Sequence, residues 1–379
     1  MRRANLLSSA HLLQRNHLTS SAPTSFSRPT LQLSFTSSSR MSDTMLQYQA
    51  VRQGGPFTLA RVPKPKPEPT DVCIRIKAVA LNPLDYKMLT RGEMVRSWPA
   101  VFGLDGAGIV EEVGDEVTDF KPGQEVVALC GIGGKKAGFQ EIVTVPQHFV
   151  SQKPASLTFE QVVSLPICYL TAAAAILVGL HVPIPHISSK APGEPVPPPG
   201  SVLVLGGGSA VGGAAIQMLR FALPHATILA TASLGHSERL KSLGVTEVVD
   251  RGSSSPVSDV TGAVSWGMDA ILDCVTAAAE DPGLFKTLDS NGPRLYSQVF
   301  TGVKVSAPEG VNQTVVFGRN VFDAPGGKGA MAGLGKLLEE GAYKLPVPIK
   351  VIGKGWDAVG AGLLDFEARG SGEKLVVSL

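Results

Sequence analysis

The stretch SVLVLGGGSAVGGAAIQMLRF (201–221) decides how this chain folds. Its first five residues form an apolar run that suits a strand buried on both faces. The glycines then interrupt it, and AAIQMLRF continues as a helix. Glycines between a buried strand and a helix let a backbone approach a pyrophosphate, and the helix N-terminus favours the negative charge. Gly206, Gly208, Ser209, Ala210, Val211 and Gly212 are therefore candidate dinucleotide contacts. The strict G-x-G-x-x-G spacing is not met, because counting back from Gly212 its middle position is Ser209. A tight strand-to-helix turn with no ligand is the alternative.

Downstream, ATILATAS, SERLKSL, TEVVD and MDAILDCV continue the alternation of strand and helix, which predicts a parallel α/β sheet. An NAD site usually places an acid about 20 residues beyond the glycines. Here the second strand ends in Ala232-Ser233-Leu234-Gly235-His236, with no carboxylate. An acid would repel a 2′-phosphate, whereas Ser233 and His236 can donate hydrogen bonds to one, and Arg251 adds a cation. The pattern favours NADPH; a solvated turn is the alternative role for Ser233 and His236.

Upstream, VCIRIKAVAL (72–81) and GAGIVEEVG (106–114) alternate in the strand manner, and Phe120-Lys121-Pro122-Gly123 signals a turn. Strands without long intervening helices predict a compact antiparallel barrel. Between the halves, 182–200 carries seven prolines and reads as a surface insertion. The chain closes on GSGEKLVVSL, one last strand.

The length of 379 residues suggests two or three packing units. An apolar share of 44% with 17% charged residues excludes a disordered chain. The four cysteines share no short spacing, so neither a disulfide framework nor a zinc knuckle is indicated. The net charge of +2 conceals two unlike parts. Residues 1–42 contain five arginines and no acid; the other 29 basic residues face all 32 acidic ones, net −3. An Arg- and Ser-rich, acid-free leader predicts a mitochondrial transit peptide, the alternative being a cytoplasmic protein with an extension upstream of Met41. The uncharged run 161–189 includes ICYLTAAAAILVGL, but Pro166, Thr171, four alanines, His181 and Pro183 dilute it. A buried helix is expected, not a membrane span. No basic patch with interleaved aromatics suggests a nucleic-acid partner.

Six motifs occur in a fixed order: ALNPLDYKML (80–89), GLDGAGIVEEVGDEVTDFKPGQEVV (103–127), AGFQEIV (137–143), SLPICYLTAAAAI (164–176), the glycine loop and SGEKLVV (371–377). Together they resemble the medium-chain dehydrogenase/reductase superfamily in its zinc-free quinone and enoyl reductase branch, and in style the fungal trans-acting enoyl reductases. The resemblance implies an α/β fold class: a GroES-like β-barrel catalytic domain plus a Rossmann doubly wound parallel sheet. The expected division is a leader at 1–42, the GroES-like domain at 45–165, the Rossmann NADP-binding domain at 166–320, and a return to the catalytic domain at 321–379.

The resemblance also implies roles. Asn82, Lys87 and Thr171 would line the nicotinamide and reacting centre, with Tyr86 a proton donor or a packed aromatic. Val299 and Ser371 join the cofactor contacts, and Asp85 closes the NPxD turn. For Lys87 the alternative is an exposed charge on a loop. Where zinc alcohol dehydrogenases carry a Cys ligand, Asn82 stands; their Gly-His-Glu is here Gly103-Leu104-Asp105. Cys168, near the third ligand's place, reads as a small buried residue, and no metal is expected.

Without zinc as Lewis acid, the expected reaction is NADPH-dependent hydride transfer to the C=C of an α,β-unsaturated carbonyl. An NADPH quinone oxidoreductase and a non-enzymatic NADPH-binding scaffold are the alternatives. The substrate would be an enone, an enoyl thioester or a quinone, bound through segments such as 90–100 and 321–345. The protein would be a monomer or homodimer; service to a polyketide synthase is a further partner compatible with the resemblance.

Overall fold

Short antiparallel strands build the first half. The computed structural model describes residues 43–190, 192, 197–369 and 372–379, so the leader and Ser371 lie outside the described residues. In chain order come β1 (Thr44–Ala50), β2 (Phe57–Pro63), β3 (Asp71–Ala80), α1 (Pro83–Arg91), β4 (Ala100–Val101), β5 (Asp105–Val113), β6 (Glu125–Leu129), β7 (Ile142–Pro146) and β8 (Val150–Gln152). β3 is the spine: it pairs antiparallel with β5 and β7, and its apolar residues Val72, Ile74 and Ile76 pack with Val110, Val126, Phe139 and Val143. Asn82 in extended conformation and Pro83 at the first helical position start α1, and Gly92 in the left-handed region ends it.

The uncharged run becomes α2 (Phe159–Val162) and α3 (Pro166–Ala174), the latter widening into a π turn at Ala175–Gly179. By length and composition Phe159–Gly179 could cross a membrane, but here it is packed inside the protein, with Leu170, Ala173 and Ile176 against Val202, Val204 and Ile216. The Ala175 carbonyl accepts a bond from Ser297 Oγ at 2.8 Å.

The second sheet follows the predicted alternation. β9 (Ser201–Leu205), with every residue buried, leads to α4 (Ala210–Ala222); then come β10 (Thr227–Ala232), α5 (Ser237–Leu243), β11 (Glu247–Asp250), α6 (Pro256–Ala263), β12 (Ala270–Asp273), α7 (Ala277–Glu280), β13 (Leu295–Val299) and β14 (Asn312–Val316). The order β11-β10-β9-β12-β13-β14, parallel throughout, reverses direction beside β9. Ligands of such sheets bind beyond the carboxyl ends of the strands at that reversal.

After α8 (Ala330–Glu339), the chain rejoins the barrel through β15 (Ile349–Lys354), α9 (Trp356–Leu364) and β16 (Lys374–Ser378). β16 pairs antiparallel with β3, giving the sheet β15-β16-β3-β5-β6-β8 with β7 beside β3.

At the end of β12 the buried Asp273 accepts the backbone N–H groups of Val275, Ala277 and Ala278 and the hydroxyl of Tyr296 on β13. Bonds to a charged acceptor are worth about 1.5–3 kcal/mol each. Tyr296→Phe is expected to lower stability by about that amount in urea unfolding, with the secondary structure retained.

Candidate active site

Both α1 and α3 start at one buried polar cluster. The Asn82 amide donates from Nδ2 to Asp105 Oδ2 at 3.0 Å and accepts at Oδ1 from Lys374 Nζ at 2.5 Å. Lys374 also bonds Asp105 Oδ2 at 3.1 Å, and Asp105 Oδ1 accepts the N–H of Ile167 in the first turn of α3 at 2.8 Å. Asp105 is fully buried and Lys374 is 6% exposed. Burial opposes the lysine's charge, but the Asp105 carboxylate outweighs it and holds the ammonium above the ordinary lysine value. Asp85 closes the turn, its carboxylate accepting the N–H groups of Asn82 at 3.0 Å and Gly103 at 2.9 Å. Burial pushes its carboxyl up to about 7, against the pull of those donors.

One helical turn beyond this cluster, each helix presents a candidate side chain. Lys87 lies on helix α1, not on a loop, and its ammonium donates to the carbonyl of Thr301, just past β13 in the other domain. Thr171 on α3 is 7% exposed and faces the segment after β14: a Cβ on Gly318 would stand 2.7 Å from its Oγ1. Val299 ends β13 between these two contacts. Lys87 thus reaches from the barrel side to the residue just past β13, while Thr171, on a helix packed with the second sheet, lies beside the segment that follows β14. Asn82 sits behind them with its amide engaged in the buried cluster. Tyr86 stacks on Phe366 at 5.7 Å between centroids, a packed aromatic on the outer side of α1.

The glycine loop forms a cradle. Gly206 has φ +78°, and a Cβ on Gly212 would collide with the Gly206 carbonyl, so the spacing of these two glycines is sterically required. Ser209 caps α4: its hydroxyl donates to the Gly206 carbonyl at 2.8 Å and accepts the Gly212 N–H at 3.0 Å. Thr231 Oγ1 accepts the Gly206 N–H at 3.0 Å and ties the loop to β10. Gly206, Gly208, Ala210 and Val211 are partly exposed, leaving a helix N-terminus open to an anion. His236 lies beside Gly208, and burial, then Arg239 and Arg251, hold its imidazole below the ordinary histidine value. These cations gather at the end of β10, where a dinucleotide's adenosine ribose belongs. The cradle, the open helix N-terminus and the cation group fit a nicotinamide dinucleotide. Ser233 precedes the short helical turn that carries His236.

For a metal the donor set is poor. Among the described residues no group of three or more His, Cys, Asp and Glu side chains converges. Leu104 is buried and apolar, while the Cys168 thiol donates to the carbonyls of Ser164 and Leu165 and is pushed up to about 11 by burial.

Two functional residues escape sequence reasoning. Arg239 on α5 donates to the carbonyls of Gly208 and Pro346, holding the glycine loop from outside. Its signal was weak, one cation within the amphipathic SERLKSL. Lys374 was visible as a lone charge opening an apolar closing strand, KLVVS, but nothing local shows that it turns inward.

A barrel joined to a doubly wound sheet, with a glycine cradle at the strand ends, defines a two-domain, nucleotide-dependent oxidoreductase. Residues 68–155 match the Alcohol dehydrogenase GroES-like domain family. Trans-enoyl reductase tndF of Aspergillus flavipes is 32% identical over 347 residues, covering 86% of this chain and 96% of its own. Trans-enoyl reductase himH of Aspergillus japonicus is 33% identical over 209 residues, covering 54% of this chain and 58% of its own. The crystal structure of CurK enoyl reductase shares the fold at TM-score 0.71 and 22% identity, covering 89% of this chain and 99% of that one. The chain belongs to the medium-chain dehydrogenase/reductase family, whose members use a nicotinamide cofactor.

Removing one member of a buried ion pair leaves the other charge uncompensated, at a cost of about 3–5 kcal/mol. Lys374→Met is expected to lose that much stability in denaturant unfolding, because Asp105 is then left buried without its cation. Asp85 gives a pH dependence of definite sign. Its folded value lies above its unfolded one, so its contribution to stability is complete below the ordinary carboxylate range and is lost as pH rises through about 7. Urea midpoints measured across that window should fall with rising pH, and Asp85→Asn should flatten the fall.

Proposed function

We propose that this oxidoreductase is a zinc-independent, NADPH-dependent reductase that saturates the C=C of an α,β-unsaturated carbonyl. The observation that carries the proposal is the ammonium of Lys374, bonded to Asn82 and Asp105 in the buried cluster where α1 and α3 start. A side-chain cation held there satisfies the carboxylate and would repel a metal ion, so the chain's own donors must stabilise the reacting centre. The trans-enoyl reductases among its relatives support an enoyl substrate.

NADPH, when bound, supplies the hydride that adds to the β-carbon of the enone. The glycine cradle with Ala210 and Val211 would hold its pyrophosphate, and His236, Arg239 and Arg251 favour the 2′-phosphate because no carboxylate ends β10. As the hydride bonds to the β-carbon, the electron pair of the C=C moves towards the carbonyl oxygen as an enolate, and a proton from solvent water, added at the α-carbon, completes the reduction. The Lys87 ammonium and the Thr171 hydroxyl are the donors placed to stabilise the enolate or to orient the carboxamide. In the described structure Lys87 is engaged by the Thr301 carbonyl, a neutral acceptor that a developing enolate would outcompete.

The test is a panel of enones, enoyl thioesters and quinones given to the purified chain with NADPH or NADH, with and without a zinc chelator. Oxidation of NADPH in preference to NADH, on enones or enoyl thioesters and insensitive to chelation, is the expected outcome. Turnover of quinones alone, or none at all despite NADPH binding, overturns the proposal. Lys87→Ala should lower kcat on accepted enones by about 10²–10³-fold if it stabilises the oxyanion. Full turnover would remove Lys87 from the chemistry.

A further inference from the structure

Two phenylalanines stand exposed just past the carboxyl ends of β13 and β14. Phe300 follows β13 and Phe317 follows β14, parallel neighbours whose last residues, Val299 and Val316, are in register. Phe300 is 38% exposed and Phe317 45%, yet their rings lie against each other at 5.0 Å between centroids, with planes 43° apart. Val303, in the loop that follows Phe300, is also exposed. Large apolar side chains are ordinarily buried, and a contiguous exposed group of them marks a binding surface.

Chain connectivity places the pair. The residue after Phe300 is Thr301, whose carbonyl takes the Lys87 ammonium. The residue after Phe317 is Gly318, packed against the Thr171 hydroxyl. Each ring is thus carried by the residue just before one of these two contacts, to Lys87 or to Thr171. The pyrophosphate cradle follows β9, and β13 and β14 stand two and three strands away from it. At the usual strand spacing that is about 10–14 Å, beyond the pyrophosphate and at the reactive end of the crevice. A saturated chain would gain from these rings only by burying area. A flat π system gains in addition from offset or tilted contact with two aromatic faces.

We infer that the Phe300–Phe317 pair seats the acyl group of the substrate and selects a flat, conjugated or aryl-bearing enone over one with a saturated chain. The inference rests on the enone-reductase reading of the same cleft.

The experiment compares two enones of equal carbon count, 4-phenylbut-3-en-2-one and dec-3-en-2-one, by kcat/KM with NADPH. Calorimetric titration of the corresponding saturated ketones into the NADP⁺-loaded protein provides the same comparison without turnover. The aryl compound is expected to lead by about tenfold in both. In Phe300→Leu and Phe317→Leu, which keep apolar bulk at exposed positions and lose the π face, that lead should shrink toward parity. Circular dichroism verifies the fold of each variant, and either one suffices if the other fails to fold. Equal efficiencies in the unaltered protein, or a lead unchanged in the folded variants, overturn the inference while leaving enone reduction standing. Weakened NADPH affinity with the lead intact would assign the rings to the nicotinamide, and a changed oligomeric state with the lead intact would assign them to a second copy. Either result overturns the inference. A protein that binds NADPH and reduces neither enone overturns the enone-reductase reading, and the inference with it.

Discussion

One carboxylate joins the pieces of this protein. Asp105 begins β5, receives Asn82 from the start of α1 and Ile167 from the start of α3, and binds Lys374 from the closing strand. A buried carboxylate is costly unless its charge is matched and its lone pairs are filled. Here both conditions are met by groups from three other segments of the chain. None can shift far without leaving a charge unpaired in the interior.

The consequence reaches the cleft through helix geometry. A helix advances one turn in 3.6 residues, so anchoring its first turn sets the height and direction of the side chains just beyond. Lys87 is placed in this way by Asn82, and Thr171 by Ile167. The cofactor side has its own anchor. Thr231 and Arg239 hold the glycine cradle to β10 and α5, and Ser209 closes it from within. Barrel and sheet meet where Lys87 reaches Thr301, and on the sheet's own side Thr171 meets Gly318.

Much of this was legible because it is local. The strand, glycine loop and helix of 201–221 are encoded by neighbours in sequence, and SERLKSL is a helix over those same seven residues. The final strand was readable from KLVVS alone. Asn82 stands out in the sequence through its NPxD turn, but the engagement of its amide by Asp105 and Lys374 has no local signature. The same holds for the partner of Lys87, which stands 214 positions away in sequence. Phe300 and Phe317, outside the segments 90–100 and 321–345 expected to shape the pocket, gain meaning only because β13 and β14 lie side by side.

The sequence by itself determined the α/β class, the glycine loop and the absence of an acid after the second strand, since each depends on periodicity, glycine spacing or residue type within a short window. Tertiary structure alone decided that Lys374 turns inward to meet Asp105, 269 residues away in the chain, and that the exposed rings of Phe300 and Phe317 come to rest against each other. The physical reason is that burial and charge pairing act through space. A lysine at the head of an apolar strand is a surface residue until another strand supplies a carboxylate with no water around it.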